Sequence, residues 1–128
     1  MKGVFLLKPT LDESMPIFQQ IAQIIRIDIV EGKLLEEERV PSENEISNFY
    51  NINRATVRKG LQTLVDEEII YKKRGIGMFV MEGAKEKLLN ERKKHYKTEY
   101  IWPLLEEGKR LGMSVDKVIE LIKEEVKK

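Results

Sequence analysis

Ile17, Ile21, Ile24, Ile25 and Ile29 recur at three- and four-residue intervals, the spacing that puts them all on one face of an α-helix. Ser14 ahead of this stripe and Pro16 in its first turn predict the helix start, and Gly32 predicts its end. After the loop "KLLEEER" and Pro41, "SENE" has the form of a capping box. In such a box Ser42 bonds the backbone at Glu45 and Glu45 reaches back, opening a short helix over about 42–49. The turn "YNI" leads to a third helix, 54 to about 67, with Asn53 as N-cap and Val57, Leu61 and Leu64 as its apolar stripe.

The period then changes. "IIYKK" and "GMFVM" are β-rich runs flanking "RGIG", which predicts a two-stranded hairpin with a glycine turn. One more strand is expected over 4–7. From Ala84 the texture is helical and highly charged, and Pro103 within it predicts a kink or restart near 101–102. Gly112 stops that helix. Ser114 caps a last one, in which Val115, Val118, Ile119, Ile122 and Val126 repeat at near-heptad spacing. The fold class is therefore mostly α with a small β-hairpin, organised as a compact domain over residues 1–82 and a two-helix tail over 83–128.

Composition narrows the function classes. The 128 residues are 41% hydrophobic and 35% charged with a formal net charge of +1, so an anionic partner must be met by a local patch rather than an overall basic field. The absence of Cys removes disulfides, thiolate metal sites and a Cys nucleophile. The only His, His95, lies in "ERKKHYKTE", a charged helix surface, and no HExxH, paired-His or EF-hand spacing occurs. The expectation is a non-enzyme without metal or cofactor. The N-terminal apolar run is too short for a signal peptide and no run reaches membrane-spanning length, so a cytoplasmic location is expected.

One local pattern runs against helix electrostatics. The third helix carries Arg54, Arg58 and Lys59 in its first two turns, and no acid follows until Asp66. Exposed cations near a helix N-terminus oppose the macrodipole by about 0.3–1 kcal/mol each. A short capped helix, a tight turn and a helix beginning with Arg are what a helix-turn-helix requires, where the second helix presents its N-terminal residues to base edges in the major groove. Arg as a good helix former on a solvated face explains the same residues. Lys72, Lys73 and Arg74 at the hairpin tip suit a wing reaching the DNA backbone. A phosphate-cradling glycine loop would instead need a helix after "GIG", and "MFVM" is strand-like. In the tail, an apolar stripe with few partners favours dimerisation. Tyr96, Tyr100 and Trp102 suit packing or interface roles better than a pocket, and the Lys85–Lys97 run suits a solvated face or phosphate contact.

These motifs resemble the N-terminal domain of GntR-type bacterial transcription factors. Gly32, "VPSENEI", "NRATVR", Leu61–Leu64 and "GIGMFV" follow in the family's order and spacing over about 16–80. The short tail, "PLLEEGKRLGMSVDKVIELIKEE", looks like that of the YtrA subfamily, whose two tail helices serve dimerisation. The resemblance implies a winged helix-turn-helix regulator, more often a repressor, binding a two-fold symmetric operator in double-stranded DNA as a homodimer, with targets that include transporter operons. Carried over by position, DNA contacts fall on Ser42, Asn44, Asn53, Arg54, Thr56, Arg58, Arg74 and Gly75. Of these, Arg54 and Arg58 suit guanine or phosphate, and Asn53 and Thr56 suit phosphate positioning. The dimer contacts fall on Trp102, Leu104, Leu105, Val115, Val118, Ile119 and Ile122. Asn44 stands where the family often has Arg, Asn53 where it often has Ser or Thr, and Glu68 where it usually has Gly. The first two imply an altered operator preference, and the third bears on the hairpin's approach. A protein–protein adaptor built on the same winged helix is the rival from another class, and an effector acting near 96–102 is compatible with either.

Overall fold

The computed structural model describes residues 11–128; the strand expected over 4–7 lies outside the described residues. Helices α1 (Ile17–Val30), α2 (Glu43–Tyr50) and α3 (Arg54–Asp66) precede a hairpin of β1 (Ile70–Lys73) and β2 (Gly77–Val80). Helix α4 (Ala84–Tyr96), a π-helical turn over Lys97–Ile101, α5 (Trp102–Arg110) and α6 (Val115–Val126) follow. The chain divides into two compact units, Met1–Leu89 and Asn90–Lys128.

The isoleucine stripe of α1 builds the core of the first unit. Ile21, Ile24, Ile25 and Ile29 are buried with Val57, Leu61 and Leu64 of α3, Ile46 of α2, and Ile69, Ile70 and Val80 around the hairpin. Ala84 and Leu88, from the start of α4, belong to the same core. Burying a side chain of this size contributes about 1.5–3 kcal/mol before entropy. Where α3 crosses α1, Gly60 faces the backbone: a Cβ there would lie 2.7 Å from the Phe18 carbonyl oxygen and 3.2 Å from the Ile21 Cβ. No other residue type allows so close an approach.

The caps follow the sequence closely, with one exception. Ser42 Oγ accepts from the Glu45 N–H at 3.1 Å and the Ser42 N–H donates to Glu45 Oε1 at 3.0 Å, completing the capping box. Asn53 Oδ1 accepts from the Ala55 N–H at 2.7 Å. Ser14, expected to cap α1, does not: Pro16 is the N-cap residue, and Ser14 turns back to Asp12. Pro16 displaces the cap because its fixed φ, here −54°, opens the helix without a side-chain acceptor.

The hairpin is antiparallel, pairing Ile70 with Val80 and Lys73 with Gly77. A bridge from Arg39 to Phe79 and the bond from the Val40 N–H to the Met78 carbonyl, 2.8 Å, lay the loop after α1 along the outer side of β2. Between α3 and the hairpin, Glu68 adopts a left-handed φ of 60°, the conformation for which the family's Gly is suited.

In the second unit, the disruption expected at Pro103 takes the form of a π-helical turn rather than a break. The Trp102 N–H donates to the Lys97 carbonyl, five residues back. The added residue lets the helix pass a proline that has no N–H to give. Gly112, at φ 74°, ends α5, and Ser114 Oγ accepts from the Lys117 N–H at 3.1 Å to start α6.

Candidate nucleic-acid interface

The acid missing from the start of α3 is supplied by α2. Glu43 Oε2 accepts from Arg58 Nε at 3.1 Å and Glu43 Oε1 from Arg58 Nη2 at 2.8 Å, a two-pronged pair. Arg54 Nη2 lies 3.5 Å from the same Oε1. Glu43 occupies the first helical position of α2, where a carboxylate also meets the positive end of its own helix dipole. The Arg58 hydrogen bond, with the charges of Arg58, Arg54 and Lys72, holds the Glu43 carboxyl below the usual carboxylate range. Lys72, on β1, is the weakest of these charges. Both arginine side chains are about 60–65% exposed, against 20% for Glu43.

The other expected contact residues sort into distinct settings. Ser42 and Asn53 spend their side-chain acceptors on caps, leaving the Asn53 amide N–H₂ free of that bond. Asn44 is exposed on the first turn of α2, and Thr56 is half-buried with its N–H bonded to the Asn53 carbonyl at 3.1 Å. Arg74 and Gly75 are exposed at the hairpin tip. There the Ile76 N–H closes on the Lys73 carbonyl at 3.0 Å, and Gly75 takes a φ of 79° that side chains seldom adopt. Lys73 Nζ sits 4.7 Å from the Phe79 ring centre, which draws that cation back onto the hairpin.

Sequence reasoning missed two features here. Glu43 was read only as part of "SENE"; its partners lie 11 and 15 residues on, and only the crossing of α2 and α3 unites them. The sequence shows Lys59 only as a third cation near the start of the helix, a solvated or backbone-steering charge, yet its Nζ stands 4.1 Å from the Phe18 ring centre. Among the described residues no group of three or more His, Cys, Asp or Glu side chains could hold a metal ion.

Of the expected dimer contacts, Trp102, Leu104, Leu105, Val115, Ile119 and Ile122 are exposed. Val118 is not: it is 5% exposed and packs against Gly108, where a Cβ would meet Val118 Cγ2 at 2.9 Å. This contact holds α5 against α6. An open apolar groove of about 480 Å³ runs beside it, lined by Leu104, Gly108, Met113, Val118, Ile122 and Val126 among others. No helix among the described residues is long and apolar enough to cross a membrane.

Comparison with known proteins places this geometry. The HTH-type regulator YurK of Bacillus subtilis is 40% identical over 67 residues, 52% of this chain and 28% of that protein. An arabinose metabolism transcriptional repressor of Halalkalibacterium halodurans is 34% identical over 96 residues, 69% of this chain and 26% of the repressor. The chain thus spans under a third of the length of these curated relatives. Among solved structures, a GntR family transcriptional regulator from Listeria monocytogenes matches at a TM-score of 0.72 and 28% identity, covering 89% of this chain and 98% of that one. The AraR DNA-binding domain in complex with operator ORE1 matches at 0.51 and 31%, covering 59% and 94%. YtrA from Sulfolobus acidocaldarius, a GntR-family transcription factor, matches at 0.56 and 27%, covering 73% and 98%. Residues 17–80, which hold the whole helix-turn-helix and wing, match the family described as bacterial regulatory proteins, gntR family, and the chain belongs to it.

Proposed function

We propose that the protein is a sequence-specific DNA-binding transcriptional regulator, a repressor of the YtrA type, which binds a two-fold symmetric operator as a cytoplasmic homodimer. The observation that carries this reading is the exposed Arg54–Arg58 row at the start of α3, together with the exposed Lys72, Lys73 and Arg74 of the hairpin. Arg54 and Arg58 read guanine edges; Asn53, through its amide, and Thr56 position phosphate, as do Ser42 and Asn44 at the start of α2. Arg74 and Gly75 carry the wing to the adjoining backbone. The relatives support it: repressors are among them, and the AraR domain was solved on its operator.

DNA reading falls to the domain at 1–82 and self-association to the tail at 83–128. The tail's support is its composition. Beyond Ala84 and Leu88 at its start, which join the core of the first unit, it buries only Gly108 and Val118, and an apolar face of that extent needs a cover. A second copy supplies one through Trp102, Leu104, Leu105, Val115, Ile119 and Ile122, and Val118 acts behind them by holding α5 against α6.

The test is a duplex-binding titration across salt concentrations, using genomic fragments bound by the protein. The logarithm of affinity should fall linearly with that of salt, with a slope near −0.9 per neutralised phosphate. Arg58→Ala should cost about 1–3 kcal/mol on a selected site while leaving the unfolding midpoint in place. A flat salt response, or no duplex bound, favours the protein–protein adaptor instead.

A further inference from the structure

We infer that Glu43 is the residue that makes Arg58 a base reader rather than a phosphate binder. This rests on the DNA-binding function proposed above and assigns a role within it to a residue that is not among the expected DNA contacts.

A guanidinium offers two bidentate edges, the Nε–Nη2 side and the Nη1–Nη2 end. Glu43 occupies the side edge, with Nε at 3.1 Å and Nη2 at 2.8 Å. The end therefore stays open, with two parallel donors spaced to meet guanine O6 and N7. Fixing one edge also restrains a long side chain before the DNA arrives, lowering the ordering cost on binding.

Charge does the rest. A guanidinium without a carboxylate beside it is attracted most strongly to phosphate, the densest negative charge on the duplex. With Glu43 in contact, a phosphate approaching Arg58 also approaches a carboxylate, and the attraction and repulsion offset one another. A guanine edge is neutral and supplies acceptors without that repulsion. Arg54, only 3.5 Å from the same carboxylate oxygen, shares the effect more weakly. Glu43 thus lowers affinity for DNA in general and raises the contrast between right and wrong sequences. Its place in α2 does not depend on this work, because the Ser42–Glu45 box caps the helix without it.

The experiment compares the parent protein with E43Q on two duplexes, one selected by the parent from a randomised pool and one of mixed sequence. E43Q should bind the mixed duplex more tightly and with a salt slope steeper by roughly one phosphate equivalent. The ratio of selected to mixed affinity should fall roughly tenfold. In the R58A background, E43Q should leave that ratio nearly unchanged, since the carboxylate would have no fork to aim. An unchanged thermal midpoint in E43Q separates the effect from a loss of folding. An unaltered ratio in E43Q, an equal loss on both duplexes, or a ratio change that persists in R58A overturns the role of Glu43 while leaving the DNA-reader function standing. A parent protein that binds both duplexes alike overturns that function, and the role with it.

Discussion

The two units use the same periodic apolar pattern to different ends. In the first, the stripe of α1 and the stripe of α3 face each other, and their isoleucines and leucines are almost wholly hidden. In the second, the stripe of α6 is as regular, yet Val115, Ile119, Ile122 and Val126 remain exposed and only Val118 is buried. Periodicity thus specifies which face of a helix is apolar, not what covers it. A chain segment as short as Asn90–Lys128 cannot close a core of its own, and its apolar face is available for a partner.

That contrast can be broken experimentally. Leu64→Ala, at a fully buried position, should destabilise the protein by about 2–5 kcal/mol in denaturant unfolding. Ile122→Asp in the tail should instead shift sedimentation or light scattering toward the monomer. If Ile122→Asp proves as costly to the folded fraction at low protein concentration as Leu64→Ala, the two units are not energetically distinct.

Among the described residues the first unit buries two polar side chains, Gln20, whose amide donates to the Asp12 and Met15 carbonyls, and Asp28. Asp28 is fully buried on α1, and neither carboxylate oxygen has a hydrogen-bond partner among the described residues. Burial pushes its pKa from 3.8 up to about 6, Lys33 opposing and Glu31 adding a little. Because the folded state holds the proton more tightly, the penalty is absent below pH 4, grows between pH 4 and 6, and is complete above that range. Asp28→Asn should therefore raise stability by about 1–3 kcal/mol at pH 8. The gain should shrink toward zero near pH 4, as followed by thermal melts across pH. A pH-independent gain would show that the charge is not its source.

Gly60→Ala ranks next. The added Cβ cannot be accommodated against the Phe18 carbonyl, so a loss of about 1–3 kcal/mol is expected despite the better helix propensity of Ala. Smallest is Glu68→Gly, which should stabilise by about 0.5–1 kcal/mol, as relief of the left-handed backbone outweighs the entropy lost on folding. A destabilised Glu68→Gly would show that its side chain contributes more than its backbone costs.

The elements themselves were legible because each is written locally. "SENE" contains both halves of a capping box, Asn53 is followed at once by its own helix, and "RGIG" separates two β-rich runs. What the sequence concealed depends on neighbours remote along the chain. The charge conflict at Arg54 and Arg58 is visible in the sequence, but its resolution by Glu43 exists only once α2 crosses α3. Lys59 needs Phe18 beneath it, and the burial of Asp28 needs the helices packed around α1. Ser14 misled for a local reason, since proline two residues on competes for the same helix start. Pro103 announced a disturbance correctly, while its form, an extra residue absorbed in a wider turn, depends on hydrogen-bond partners that periodicity does not describe.

The contact at Gly60 reaches beyond packing. Two helices that touch main chain to main chain leave no layer of side chains in which one could tilt or slide against the other. The reading surface is consequently a stiff stylus, whose message is changed by exchanging the residues on its tip. In the proposed dimer, any signal that releases DNA is then left to act on the distance and angle between two such styluses, rather than on the shape of either one.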